Sequence, residues 1–268
     1  MNCRFFPLVL LLALVTACGG NDAVQPPPSN PDRFLFERGA EALKQRKWLN
    51  AREYFRQVVD NYPNSPLRAD AKLGIGDSYL GEDSAESLVL ADSEYREFLT
   101  FYPTHPRADY AQFKLAMSHF EQMRGADRDQ TETIEALEEF QVFFNRFPKS
   151  PLMPEVREKW RVARDRLSQH HLNVALTYFR MRDSDGRPWC RGVVPRLQEV
   201  LKEDPEFSRR DSVYFYLAEC FAQSDNTKGE AIPYYERLLK EFVESEHLER
   251  AKERLQALRQ GAQAPKTQ

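Results

Sequence analysis

Five times along the chain a small residue is followed four positions later by a bulky apolar one, and twelve positions later by a chain breaker. The sets are Ala51, Phe55 and Pro63; Ala91, Tyr95 and Pro103; Ala136, Phe140 and Pro148; Val193, Leu197 and Pro205; and Ala231, Tyr235 and Val243, where valine stands in the proline position. Residues four apart lie on one helix face, so each set predicts a helix that presents a gap beside a wedge and then stops. Upstream of each set runs a second helical segment with its own small or bulky anchors: Gly39; Gly76 and Tyr79; Ala116; Ala175 and Tyr178; Leu217, Ala218 and Phe221. The stretches FRQVVDNYPNSPLRADAKLGIGDSYL (55–80), YREFLTFYPTHPRADYAQFKLAMSHF (95–120) and FQVFFNRFPKSPLMPEVREKWRVARDRL (140–167) show the plan most plainly. LQEVLKEDPEFSRRDSVYFYLAECF (197–221) and YERLLKEFVESEHLERAKERLQAL (235–258) repeat it with looser turns. No stretch reads as a strand.

This pattern resembles the tetratricopeptide repeat, in which antiparallel helices A and B stack because small residues let them approach and large ones fill the gaps. The expected fold is all-α, a right-handed superhelical solenoid of five such hairpins plus a C-terminal capping helix. Successive breaker positions are 40, 45, 57 and 38 residues apart, against about 34 in the ideal repeat. The surplus is expected between helices A and B at residues 80–90, 124–131 and 183–189, or in a lengthened fourth helix A from Glu155 to Met181. That helix would join repeats 1–3 (32–149) to repeats 4–5 (150–245). Residues 246–260, with charges around Leu248, Ala251, Leu255 and Leu258, read as the polar cap, and 261–268 as a disordered tail.

The N-terminus follows a different logic. Arg4 and an apolar run from Phe5 to Val15 read as a secretory signal, too short to span a bilayer. Val15-Thr16-Ala17-Cys18 resembles the bacterial lipobox, which makes 1–17 a lipoprotein signal peptide and Cys18 the lipid-bearing residue. Several acyl chains, palmitate-like in length, hold a protein where one would let it escape, because each buried methylene contributes about 0.8 kcal/mol. Gly19 after the cysteine points to an outer membrane, with the protein facing the periplasm. Residues 18–31, with four prolines, read as an extended tether.

A net charge of −3 argues against nucleic acid as partner, since that needs a concentrated basic face. No metal, cofactor or catalytic site is expected. His170-His171 are adjacent rather than spaced for one helix face, and His105 and His247 lie near turns. Asp183-Ser184-Asp185-Gly186 begins like a calcium loop but lacks the later ligands, and reads as a glycine-closed turn. Phosphate-loop, dinucleotide and nucleophile-elbow motifs are missing from the sequence. Cys190 and Cys220 stand 15 residues either side of Pro205, at similar height in an antiparallel hairpin. They read either as a disulfide or as two small buried thiols.

As a whole the sequence resembles the BamD family of outer-membrane lipoproteins. The resemblance rests on FLTFYPTHPRADYAQFKLAMSHF (98–120), ADRDQT (126–131), EALEEF (135–140) and RVARDRLSQHHLNVALTYF (161–179), in that order, between the lipobox and the last helix. It implies a non-enzymatic scaffold of the β-barrel assembly machinery. C-terminal repeats would dock on the periplasmic domains of a BamA-like insertase, N-terminal repeats would hold unfolded outer-membrane β-barrel proteins, and other Bam lipoproteins would join them. It also implies that Arg196, in helix B of repeat 4, contributes to docking; otherwise Arg196 is a solvated charge before the wedge Leu197. Asp183–Trp189 is longer than the family pattern, and Pro195 is expected in the first turn of that helix. The competing readings are a repeat-lipoprotein adaptor of another envelope complex, such as a pilus-secretin pilotin or a cell-division coordinator, and a peptidoglycan-active enzyme.

Overall fold

The computed structural model describes residues 29–224 and 226–263. The signal peptide 1–17, the lipidation site Cys18, most of the tether and the tail beyond residue 263 lie outside the described residues. Within them the regular secondary structure is helical, apart from one isolated bridge between Arg182 and Pro188. The helices are α1 (Pro31–Lys44), α2 (Trp48–Asn61), α3 (Arg68–Glu82), α4 (Ala85–Phe101), α5 (Ala108–Phe120), α6 (Thr131–Arg146), α7 (Met153–Arg180), α8 (Cys190–Glu203), α9 (Arg210–Phe221), α10 (Lys228–Glu241) and α11 (Leu248–Gln263). They form five hairpins and a closing helix, each packed mainly on its neighbours in sequence, as in a helical solenoid. The odd-numbered helices α1, α3, α5 and α7 also touch one another in turn, with no comparable contact between successive even-numbered ones. Helices α1, α3, α5 and α7 therefore line the inner face.

Stacking follows from fit between small and large side chains. Ala51, Ala91, Ala136, Val193 and Ala231 are fully buried, as are Tyr95, Phe140, Leu197 and Tyr235 beside them. Phe55 sits between two glycines on different helices. A Cβ on Gly39 of α1 would lie 2.8 Å from its ring, and one on Gly74 of α3 only 2.5 Å. Gly76 stands in the same relation to Tyr95, at 2.8 Å. Each wedge thus fastens its own hairpin to the helix that follows.

A second, polar fastening recurs at the turns. Ser65 donates its hydroxyl to Asp32 at the start of α1, Ser150 to Asp109 at the start of α5, both at 2.6 Å, and Ser245 to Asp211 at the start of α9, at 2.7 Å. Each serine oxygen also accepts the backbone N–H two residues on, which shapes the turn. In repeat 2 His105 occupies the serine position and its Nδ1 accepts the N–H of Arg107, while the Arg107 guanidinium reaches Asp70 at 3.0 Å.

At 28 residues, α7 spans about 42 Å at 1.5 Å per residue. Val156 belongs to the core shared with α5 and α6, whereas Leu172 and Ala175 belong to the core shared with α8 and α9. Arg166 and His170 donate to the carbonyls of Arg124 and Ala126, which clamps the α5–α6 loop onto the helix. That loop is knit internally by buried Gln130, whose amide donates to three carbonyls, among them Gly125 at 2.8 Å. On its other side α7 holds the turn after α8. Arg161 and Ser168 both donate to buried Asp204 at 2.6 Å, and Asp165 accepts from Ser208.

Three boundaries differ from the sequence reading. Residues 80–90 are helical except Asp83 and Ser84, because Asp83 takes a left-handed conformation (φ 56°) and Ser84 forms a reciprocal capping box with Ser87. The insertion lengthens the helices instead of the turn. Pro195 is the sixth residue of α8, past the first turn, with Pro233 at the same place in α10. The last helix runs to Gln263, three residues into the segment expected to be tail.

Candidate functional site

Among the described residues one groove lies in the N-terminal repeats and another in the C-terminal repeats. The N-terminal one, about 540 Å³, is framed by Leu43, Trp48, Leu80, Tyr110 and Met117, with Asp77 at its floor. Trp48 reaches this position because Gly81 leaves room for it; a Cβ there would stand 2.7 Å from the indole. The Asp77 carboxylate accepts both Tyr95 and Tyr110 hydroxyls, at 2.7 and 2.8 Å. Burial pushes its carboxyl up despite these bonds, and burial beside Asp77 pushes the Tyr110 phenol up as well. Arg107 lies 4.5 Å over the Tyr110 ring. Asp83, Lys114 and Glu121 also line the trough, which therefore combines aromatic and aliphatic surface with charged groups and suits an extended segment carrying both apolar and polar side chains.

Arg196 lies in α8, one residue before the wedge Leu197, and it is not a freely solvated charge. It is half-buried, with Nη1 donating to Nδ1 of His171 on α7 at 2.9 Å. Burial first, then the adjacent positive charge of Arg196, holds the His171 pKa below its ordinary value, which keeps the ring a neutral acceptor. Nε of Arg196 and Nε of Arg164 are buried without a hydrogen-bond partner among the described residues. A guanidinium has five N–H donors, so Arg196 is fixed by one edge and keeps capacity for a carboxylate. His170 and His171 turn to different partners, and among the described residues no three His, Cys, Asp or Glu side chains converge to hold a metal.

Cys190 and Cys220 are joined in a disulfide with Cα atoms 5.4 Å apart. It ties the first residue of α8 to the end of α9. The preceding segment Asp183–Trp189 is a tight turn: Asp183 Oδ1 accepts the N–H groups of Asp185 and Arg187 at 2.9 Å, and Gly186 has φ 73°. Trp189 packs edge-on against Tyr178 at 5.1 Å while remaining partly exposed.

His119 was not singled out by its sequence position. Its ring bridges Asp92 on α4 and Glu132 on α6, at 2.9 and 2.8 Å. Burial opposes the charged ring, but the two carboxylates outweigh it and raise its pKa. No nucleophile adjoins it in this network of Asp92, Arg96, Glu132 and Glu139, which is a helix-to-helix tie. The Ser–Asp fastenings and the Asp77 pair were likewise unforeseen. The recurrence of Ser-Pro two residues after the breaker (65–66, 150–151) was the available signal.

A family model described as "Outer membrane lipoprotein" (YfiO) matches residues 28–228 of the chain, and a tetratricopeptide repeat model matches residues 212–245. Proteins named "Outer membrane protein assembly factor BamD" are similar along most of its length. The Caulobacter vibrioides protein is 28% identical over 217 residues, which cover 80% of this chain and 68% of that protein. Those of Vibrio cholerae and Haemophilus influenzae are 25% and 24% identical, over 74% and 80% of this chain and 82% and 81% of theirs.

Proposed function

The chain belongs to the YfiO family of outer membrane lipoproteins, and from that premise we propose that it is a non-enzymatic scaffold in outer membrane protein assembly. Lipid on Cys18 would anchor it to the outer membrane on the periplasmic side. The trough of repeats 1–3 would take apolar segments of unfolded β-barrel clients, and the surface around Arg196 would dock on the periplasmic domains of a BamA-like insertase. Other lipoproteins of that assembly would share the rod. The mechanism is alignment: two weak sites on one stiff support raise the concentration of client near insertase without any new contact.

The observation that carries this reading is the joint one of family and geometry. The match spans the N-terminal trough and the helix that carries Arg196, and a single helix, α7, contributes to the cores on both sides. A rod of that kind transmits position rather than performing chemistry. The test is affinity capture of the full-length lipoprotein from its own envelope. Recovery of an outer-membrane insertase is the expected result. Recovery of secretin or cell-division proteins in its place would assign the chain to another envelope complex.

A further inference from the structure

The C-terminal repeats hold a second groove of about 510 Å³, between the end of α7, the Arg182–Pro188 turn, α9 and α11. Its apolar floor is Phe179, Ala222, Ala257 and Leu258. Its walls are cationic. Arg250 and Arg254 are four apart on α11 and more than half exposed, and Arg182 stands opposite on the turn. Among the described lining residues Glu219 is the sole carboxylate, and it is already shared by Arg254 (3.2 Å), Arg250 (3.5 Å) and the Tyr235 hydroxyl (2.6 Å). The acids nearest Arg182, Asp183 and Asp185, pair with Arg187 instead.

Two features make this a built surface. Arg250 stacks over Phe215 at 5.1 Å while Glu219 pairs with one of its guanidinium nitrogens, and the side chain remains more than half exposed. The wall is also tied to the disulfide: Gln223 lines the groove and donates to Cys190 Sγ at 2.9 Å, a sulfur bonded to Cys220. In a chain of net charge −3, a cluster of three arginines around one engaged carboxylate is a local reversal of sign. Its complement is a carboxylate-bearing ligand with apolar side chains for the floor.

We infer that this groove binds an acidic, leucine-type segment of a partner polypeptide, its carboxylates on Arg182, Arg250 and Arg254 and its apolar side chains against Phe179 and Leu258. A concave site does not fit a flat anionic bilayer. Residues 264–268 beyond α11, APKTQ, offer a lysine and no Asp or Glu side chain as complement to these arginines. The inference does not depend on the assembly role, since it concerns ligand chemistry and not the pathway.

The test is fluorescence anisotropy with purified full-length chain in detergent and a labelled peptide of about twelve residues, alternating Glu/Asp with Leu. The acidic peptide is expected to bind with a salt-sensitive affinity, and its Gln/Asn counterpart at least about tenfold more weakly. Arg182→Glu, on an exposed turn with no carboxylate partner among the described residues, should lower affinity about tenfold without loss of helicity, and Arg182→Glu with Arg254→Glu further. Arg259→Glu, outside the groove and paired with Glu236, should change nothing. Equal binding of acidic and amide peptides, native-like binding by Arg182→Glu, or equal competition by phosphatidylglycerol vesicles against native and variant chains would overturn it. Because no assembly partner is in the cuvette, failure here and failure of the envelope capture are separate results.

Discussion

Ser150, in the turn between α6 and α7, donates its hydroxyl to Asp109 in the first turn of α5 at 2.6 Å, across 41 residues of sequence. The bond crosses from the start of one hairpin to the turn that begins the next, and Ser65–Asp32 and Ser245–Asp211 repeat it. It sets where each new odd-numbered helix begins relative to the last, whereas the aromatic wedges set how closely the helices approach.

Replacing Ser150 with Ala removes both the bond to Asp109 and the turn contact to the Leu152 N–H. Hydrogen bonds to charged groups contribute about 1.5–3 kcal/mol, so Ser150→Ala should destabilise by that order in urea unfolding. Ser150→Thr, which keeps the hydroxyl, should recover most of it.

Two glycine substitutions should differ in sign. Gly74→Ala places a methyl 2.5 Å from the Phe55 ring, which cannot retreat because Gly39 closes the other side. Overpacking should cost about 1–3 kcal/mol. At Gly229 a Cβ meets nothing within 4 Å, and Gly229→Ala should stay within about 0.5 kcal/mol of native, on the stabilising side.

Stability should carry a pH signature from His119. Its folded pKa is raised above the ordinary 6.5 by Asp92 and Glu132, against the opposing effect of burial. The contribution is therefore complete below about pH 6.5 and is lost as pH rises through the folded value. Burial raises the Asp92 carboxyl, but the His119 and Arg96 bonds outweigh it and hold it below 3.8, so that part is lost only in strong acid. Thermal unfolding of native chain and His119→Gln between about pH 5.5 and 8.5 should converge towards the alkaline end. Parallel curves would remove His119 from the account of pH dependence.

The disulfide closes a loop of sequence separation 30, for which the loop-entropy estimate is roughly 3–4 kcal/mol. The double variant Cys190→Ala, Cys220→Ala should lose stability of about that size, with hydrogen exchange rising in α8 and α9 while α1–α4 stay protected.

Much of this architecture is legible in the sequence because a small residue and a wedge four apart can only be read on a helix. Phe55, Tyr95, Phe140, Leu197 and Tyr235 are all core. What failed was positional. The start of α8 carries no side-chain cap, so nothing before Cys190 signalled it, and Pro195 was placed too early. Ser84 and Ser87 cap each other by a capping box made of two serines, which hid how short that turn is. Arg196 stayed open between docking and solvation because its partner, His171, is 25 residues away on another helix. Nor could sequence sort the arginines of α11 into groove and solvent faces, since that depends on where the 181–189 turn comes to rest.

The most direct measurement of the central claim places a photocrosslinking residue at Leu43, in the N-terminal trough, and at exposed Pro195, beside Arg196, in the full-length lipoprotein within its envelope. The expected result is unfolded outer-membrane β-barrel proteins from the first position and the insertase from the second, with the second product lost in Arg196→Glu. The same partner from both positions, or an insertase product untouched by Arg196→Glu, would contradict a scaffold that holds client and insertase on separate surfaces.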